Sequence, residues 1–108
     1  MPRETLPGRR QSTTARLDHD GQTYHVSVGY YADGRPGEIF LTAPKASQTF
    51  AAVQAADAAV AVSIAMQYGV PLAVLRDAFL READGSPAGI LGATVDLLLE
   101  MDAAPPGE

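Results

Sequence analysis

The chain reads as an α+β fold: a three-stranded antiparallel β-meander packed against one long and two shorter helices. Three observations predict it. Apolar residues alternate with period two between Thr13 and Thr42, interrupted by two turn clusters; an alanine-rich run ends at Tyr68, too long and too evenly apolar for a strand; and two further helical patterns open at Pro71 and Pro87. At 108 residues, with 46% apolar and 19% charged residues, the chain has enough apolar material for one core and enough charge to stay in solution. The expected organisation is a mobile N-terminal arm over residues 1–12, a single α+β domain over 13–102 and a disordered tail over 103–108.

The arm is assigned because Met1 to Ser12 holds two prolines, one glycine and three arginines without apolar periodicity, so it is expected to order only against a partner. Ala15 and Leu17 begin the alternation. Asp18–His19–Asp20–Gly21 is a turn, and Tyr24, Val26, Val28 and Tyr30 then share one strand face, with Thr23, His25, Ser27 and Gly29 on the wetted one. A second turn, Ala32 to Gly37, combines two glycines with a proline and leads into the strand Glu38–Thr42. The long helix is expected from Ser47 or Gln48 to Tyr68, with Ser47 as N-cap and Gly69 at C′. At 100° per residue Phe50, Val53, Val60, Ile64 and Tyr68 form one stripe and Val62 and Met66 lie nearly opposite, so the helix is expected to be sandwiched. Pro71 suits a first helical position, with the second helix running to Glu82, turning Leu72, Leu75 and Phe79 inward and pairing Asp77 with Arg81. Ser86–Pro87 reads as the N-cap and first turn of a third helix that buries Ile90 or Leu91, Val95, Leu98 and Met101.

Composition removes several function classes. A formal charge of −5 and a sequence pI of 4.8 argue against a phosphate backbone as partner. Arg3, Arg9, Arg10 and Arg16 cluster locally, but Asp18, Asp20 and Asp33 follow, and a solvated arm is the simpler reading than a polyanion site. There is no cysteine, hence no disulfide and no thiolate metal site. No apolar h-region occupies the first twenty residues, and the longest unbroken apolar stretch, Ala58–Val62, is shorter than a membrane span, so a cytoplasmic location is expected.

Candidate sites are few. Asp57 falls within the apolar stripe of the long helix and, if buried, needs a partner such as Arg35, a tyrosine hydroxyl or a backbone amide. His19 and His25 have no established ligand spacing and are expected at the surface; no metal and no cofactor is expected. No serine sits in an elbow motif, so nucleophilic catalysis has no support. Tyr24, Tyr30, Tyr31, Phe40 and Phe50 read as core and sheet-face aromatics. Lys45, Ser47 and Thr49 surround the expected mouth of the long helix, which makes them the candidate anion-binding set, with plain helix capping as the rival.

Two segments carry a family likeness: Gly34–Arg35–Pro36–Gly37–Glu38–Ile39–Phe40–Leu41, and Gln67–Tyr68–Gly69–Val70–Pro71–Leu72. With Leu6–Pro7, Arg9–Arg10, Ser12 and Thr14 ahead of them, and Val26 to Tyr31 and Asp33 between, the chain resembles the C-terminal accessory domain of vitamin B12 (adenosylcobalamin)-dependent ribonucleotide reductases, a TSCPD-type domain. It departs from that pattern where a Lys-x-Gly-Ser-Thr stretch is usual, since Ala46 replaces the glycine and Gln48 separates Ser47 from Thr49, and again at Glu82–Gly89. Ribonucleotide reduction uses cysteine for its thiyl radical and its reducing pair, so this chain is not expected to be an enzyme on its own. The resemblance implies a stand-alone, non-catalytic relative serving as an accessory, regulatory or assembly module in deoxyribonucleotide synthesis. The alternative is a nucleotide- or anion-binding module at the N-terminus of helix one. Expected partners are a second copy of the chain, forming a homodimer through helix one or the sheet edge, and a reductase large subunit. Arg35, Glu38 and Asp57 are the expected structural or interface residues.

Overall fold

Strands β1 (Ser12–His19) and β2 (Gln22–Tyr30) are joined by two residues, Asp20 and Gly21, with φ of 51° and 74°. A two-residue hairpin that follows the natural strand twist needs positive φ at both central positions, which an Asp-Gly pair supplies at little cost. Strand β3 (Pro36–Thr42) pairs antiparallel with β2, placing Ile39 opposite Val28 and Leu41 opposite Val26, with a register irregularity at Gly29/Tyr30. The sheet order is β1-β2-β3, the expected meander. Its alternation works as the sequence suggests: Tyr24, Val26, Val28, Ile39 and Leu41 are buried while His25 is exposed. Phe40, read among the core and sheet-face aromatics, stands half exposed on the wetted sheet face. We describe residues 2–43 and 49–103 of a computed structural model of the chain.

Helix α1 (Phe50–Gln67) is capped by Thr49, whose hydroxyl accepts the Ala52 N–H at 3.1 Å. The cap is Thr49; Ser47, the expected cap, lies outside the described residues. At the other end Gly69, at φ 95°, takes the expected C′ position. The helix lays Ala55, Ala59, Val62, Ser63, Met66 and Gln67 against the sheet, next to β3. Small residues let the backbones come close, and close approach lets α1 satisfy the outer edge of β3. The Ser63 hydroxyl accepts the Ile39 N–H at 2.8 Å and donates to the Ala59 carbonyl at 2.8 Å, while Gln67 Nε2 donates to the Gly37 carbonyl at 2.9 Å. Four helical residues rise about 6 Å and two strand residues about 6.6 Å, so positions 63 and 67 meet positions 39 and 37 in step. Taken as an 18-residue window, α1 is apolar enough by length and composition to cross a membrane, with mean hydropathy 1.4. Packing on β3 buries a third of that window, on one side of the helix.

The chain divides at Val70–Pro71 into two compact units, Met1–Val70 and Pro71–Glu108. In the second unit, α2 (Leu72–Ala78) has Pro71 as N-cap, one place earlier than expected, and stops at Ala78 because Phe79 turns extended at ψ 150°. The residues expected to continue it form a small turn instead: Arg81 bridges Pro87, the Glu82 N–H donates to the Ser86 carbonyl and the Ala88 N–H to the Leu80 carbonyl. Arg81 consequently leaves Asp77 and grips Asp96 on α3 (Ile90–Ala103) through two parallel bonds of 2.7 and 2.8 Å; Asp77 meets Arg76. Ser86 does not cap α3, since its hydroxyl donates to Asp84. Val95 and Leu98 are buried as expected, and Met101 is exposed.

Candidate functional site

Arg10, Tyr31, Arg35, Glu38 and Gln67, all among the residues that carry the family likeness, lie where the N-terminal arm runs along the first unit. The Glu4 N–H donates to the Gln67 carbonyl at 2.8 Å and Arg3 Nε to Gln67 Oε1 at 2.6 Å, so the last residue of α1 holds the start of the arm. Tyr31, buried, donates its hydroxyl to the Glu4 carbonyl. Arg35 stacks 4.5 Å over the Tyr31 ring and reaches Glu4 at 3.1 Å and Asp33 at 2.7 Å. Further along, Arg10 pairs with Glu38 and also donates to the Pro7 carbonyl.

Two glycines make room for this clamp. A Cβ on Gly37 would stand 2.7 Å from the Tyr31 ring and 3.0 Å from Leu6, and one on Gly29 would stand 2.8 Å from Glu38 Cγ. The electrostatics follow the contacts. The backbone and guanidinium N–H groups of Arg35 hold the Asp33 carboxyl below its ordinary range, and burial, aided by the Glu4 charge, pushes the Tyr31 phenol up. Beside the clamp a cavity of about 500 Å³ is lined by Arg9, Arg10, Thr13, Tyr30 and Tyr31, with the Thr13 and Tyr30 hydroxyls 2.9 Å apart.

The candidate residues thus separate. Arg35 and Glu38 belong to the clamp. Asp57 does not join them: it lies exposed on the side of α1 away from β3, so the buried partner it was expected to need is not required. Of the anion set, Lys45 and Ser47 lie outside the described residues, and the Thr49 hydroxyl is engaged in capping. Phe50, read among the core and sheet-face aromatics on a sandwiched helix, is 80% exposed, and Val53, Val60, Ile64 and Tyr68 accompany it on the outer side of α1. Among the described residues no three of His, Asp or Glu gather as metal ligands would. The sequence reading missed Ser63 and Gln67. Two hydrogen-bonding side chains four apart, on the side of the helix away from Gln54 and Asp57, were the available signal.

Residues 2–99 match the TSCPD domain family, a span that includes the arm, its clamp and most of α3. The chain belongs to the TSCPD domain family. This TSCPD domain is similar to the vitamin B12-dependent ribonucleotide reductase of Rhodopirellula baltica, at 46% identity over 77 residues, which cover 71% of this chain and 7% of that protein. The same-named proteins of Agrobacterium fabrum and Bradyrhizobium diazoefficiens match at 40% and 39% identity over 77 residues, 71% of this chain and 6% of each of them. The TSCPD domain therefore corresponds to a small part of large relatives. No solved structure matches it.

Proposed function

We propose that this TSCPD domain is a non-catalytic accessory module linked to deoxyribonucleotide synthesis, acting by docking onto a ribonucleotide reductase in the cytoplasm. The observation that carries the reading is the match to vitamin B12-dependent reductases, confined to about 7% of the R. baltica protein, in a chain without a single cysteine. The chemistry of the clamp agrees with it. Arg10, Arg35, Glu38 and Gln67 spend their hydrogen bonds on one another, on the arm and on β3, which makes them a scaffold and leaves the outer surfaces as the working parts.

The test uses the purified chain and the purified vitamin B12-dependent reductase of the same genome. Co-elution in size-exclusion chromatography at micromolar concentration, or a change in the reductase's activity or assembly on addition of the chain, is the expected result. Ribonucleotide turnover by the chain alone would overturn the reading, as would the absence of both association and any effect on the reductase.

A further inference from the structure

We infer that the outer face of α1 is a docking seam for an amphipathic helix of a partner protein, one that presents a lysine or arginine opposite Asp57. The inference deepens the docking reading above and rests on it.

Phe50, Val53, Asp57, Val60 and Ile64 recur at steps of three and four, with Tyr68 one turn further on. On a helix these six positions fall within an arc of about 80°. Alternating steps of three and four are the pattern by which one helix receives another. All six side chains are exposed, Phe50 at 80% and Val60 at 52%, because α1 turns Ala55, Ala59, Val62, Ser63, Met66 and Gln67 to β3 and this stripe away from it. A single helix with five large apolar residues aligned and uncovered is the kind of surface that binding grooves and interfaces present.

The charge pattern selects the occupant. Asp57 is the sole charged residue of α1 and sits at the middle of the seam. Covering the seam takes that carboxylate out of water, which is unfavourable unless the cover supplies a cation. A second copy of α1 cannot, since the helix contains no lysine or arginine. In a parallel pair Asp57 would face Asp57, and in an antiparallel pair about the helix centre it would face Val60. An apolar membrane phase would strand the carboxylate in the same way. A partner helix with apolar residues at the same spacing and one basic residue at its centre satisfies both the stripe and the charge, and a charged residue at such a position also fixes register.

The experiment measures binding of the full chain to two labelled synthetic helices about three heptads long, with leucine along the seam and either arginine or glutamate at its centre. The arginine peptide should bind at least about tenfold more tightly by fluorescence anisotropy. Asp57→Lys, an exposed change, should reverse the preference, and Val60→Glu with Ile64→Glu should abolish binding of both, with circular dichroism confirming that each variant is folded. Equal affinity for the two peptides, no binding of either, or a preference that Asp57→Lys leaves unchanged overturns the inference. So does a dimer of the chain, seen by light scattering, that Ile64→Glu dissolves, because the seam then belongs to a second copy. If the reductase binds wild type and the Ile64→Glu variant equally, the seam assignment fails and the accessory role stands. If the reductase binds neither while the arginine preference and its reversal hold, the seam stands and the accessory role fails.

Discussion

Gln67 ties three segments with one residue. Its carbonyl receives the Glu4 N–H, its Oε1 receives Arg3 Nε, and its Nε2 donates to the Gly37 carbonyl on β3. Gln67→Ala removes both side-chain bonds and leaves a buried carbonyl unpaired, so it should cost about 1–3 kcal/mol in urea unfolding. Amide exchange at Glu4 should accelerate as well, because the arm keeps fewer of its anchors. Gly29 and Glu38 allow a sharper test. Gly29→Ala drives a methyl group into the Glu38 side chain and should cost about 1–3 kcal/mol. In a Glu38→Ala background the obstruction is gone, and the same change should cost little or become stabilising, since alanine restricts the unfolded chain more than glycine. A double-mutant cycle reads the coupling directly, and additive effects would refute the steric account.

At the scale of elements, the contact between α1 and β3 replaces a fourth strand with hydrogen bonds from a helix. Ser63→Ala leaves the Ile39 N–H buried without its acceptor and is expected to lower stability by about 1–3 kcal/mol, although only one oxygen is lost. Denaturant titration checks it, and a loss within error of zero would mean that water reaches the β3 edge. The contact between α1 and β3 also shows what was legible in the sequence. Strand alternation, the Asp-Gly hairpin, the Gly69 stop and the long helix all depend on local periodicity and backbone preference, so they could be read directly. Which side of α1 faces the sheet could not be read from hydrophobicity, because both sides are apolar. The face that meets β3 is the one carrying Ser63 and Gln67, whose side chains bond to the strand edge, and Asp57 lies on the opposite face with Phe50 and Tyr68. The end of α2 was misread for a related reason. Arg81 prefers a tertiary partner, Asp96, to a helical neighbour, and sequence spacing shows only the neighbour. The candidate site was visible as a set of motif residues, but that Arg10, Glu38, Arg35 and Glu4 hold one another required the fold.

For the whole molecule, the carboxyls make stability depend on pH in one direction. Asp18, Asp33, Asp84 and Asp96 are all held below their ordinary range, chiefly by hydrogen bonds from Thr23, Arg35, Ser86 and Arg81 respectively. A carboxyl with a depressed folded-state pKa contributes stability that is complete above its unfolded value of about 3.9 and disappears as pH falls through the folded value. The urea midpoint should therefore hold between about pH 5 and 7 and decline below about pH 4. Asp96→Asn should be less stable than wild type at pH 7, and the difference should close in acid; a gap that persists at low pH would show that Arg81 and Asp96 matter through packing and not through charge. The Ser63 and Gln67 bonds to β3 have a further consequence for how copies of the chain meet. With Ile39 and Gly37 at that border bonded to a helix, a foreign strand is hindered there, and beside β1 Arg16 and Asp18 set charge in the path of fibril growth. Strand addition at the β3 border should thus wait until α1 lifts from it, and loosening of that helix, before any global unfolding, is the event that would license it.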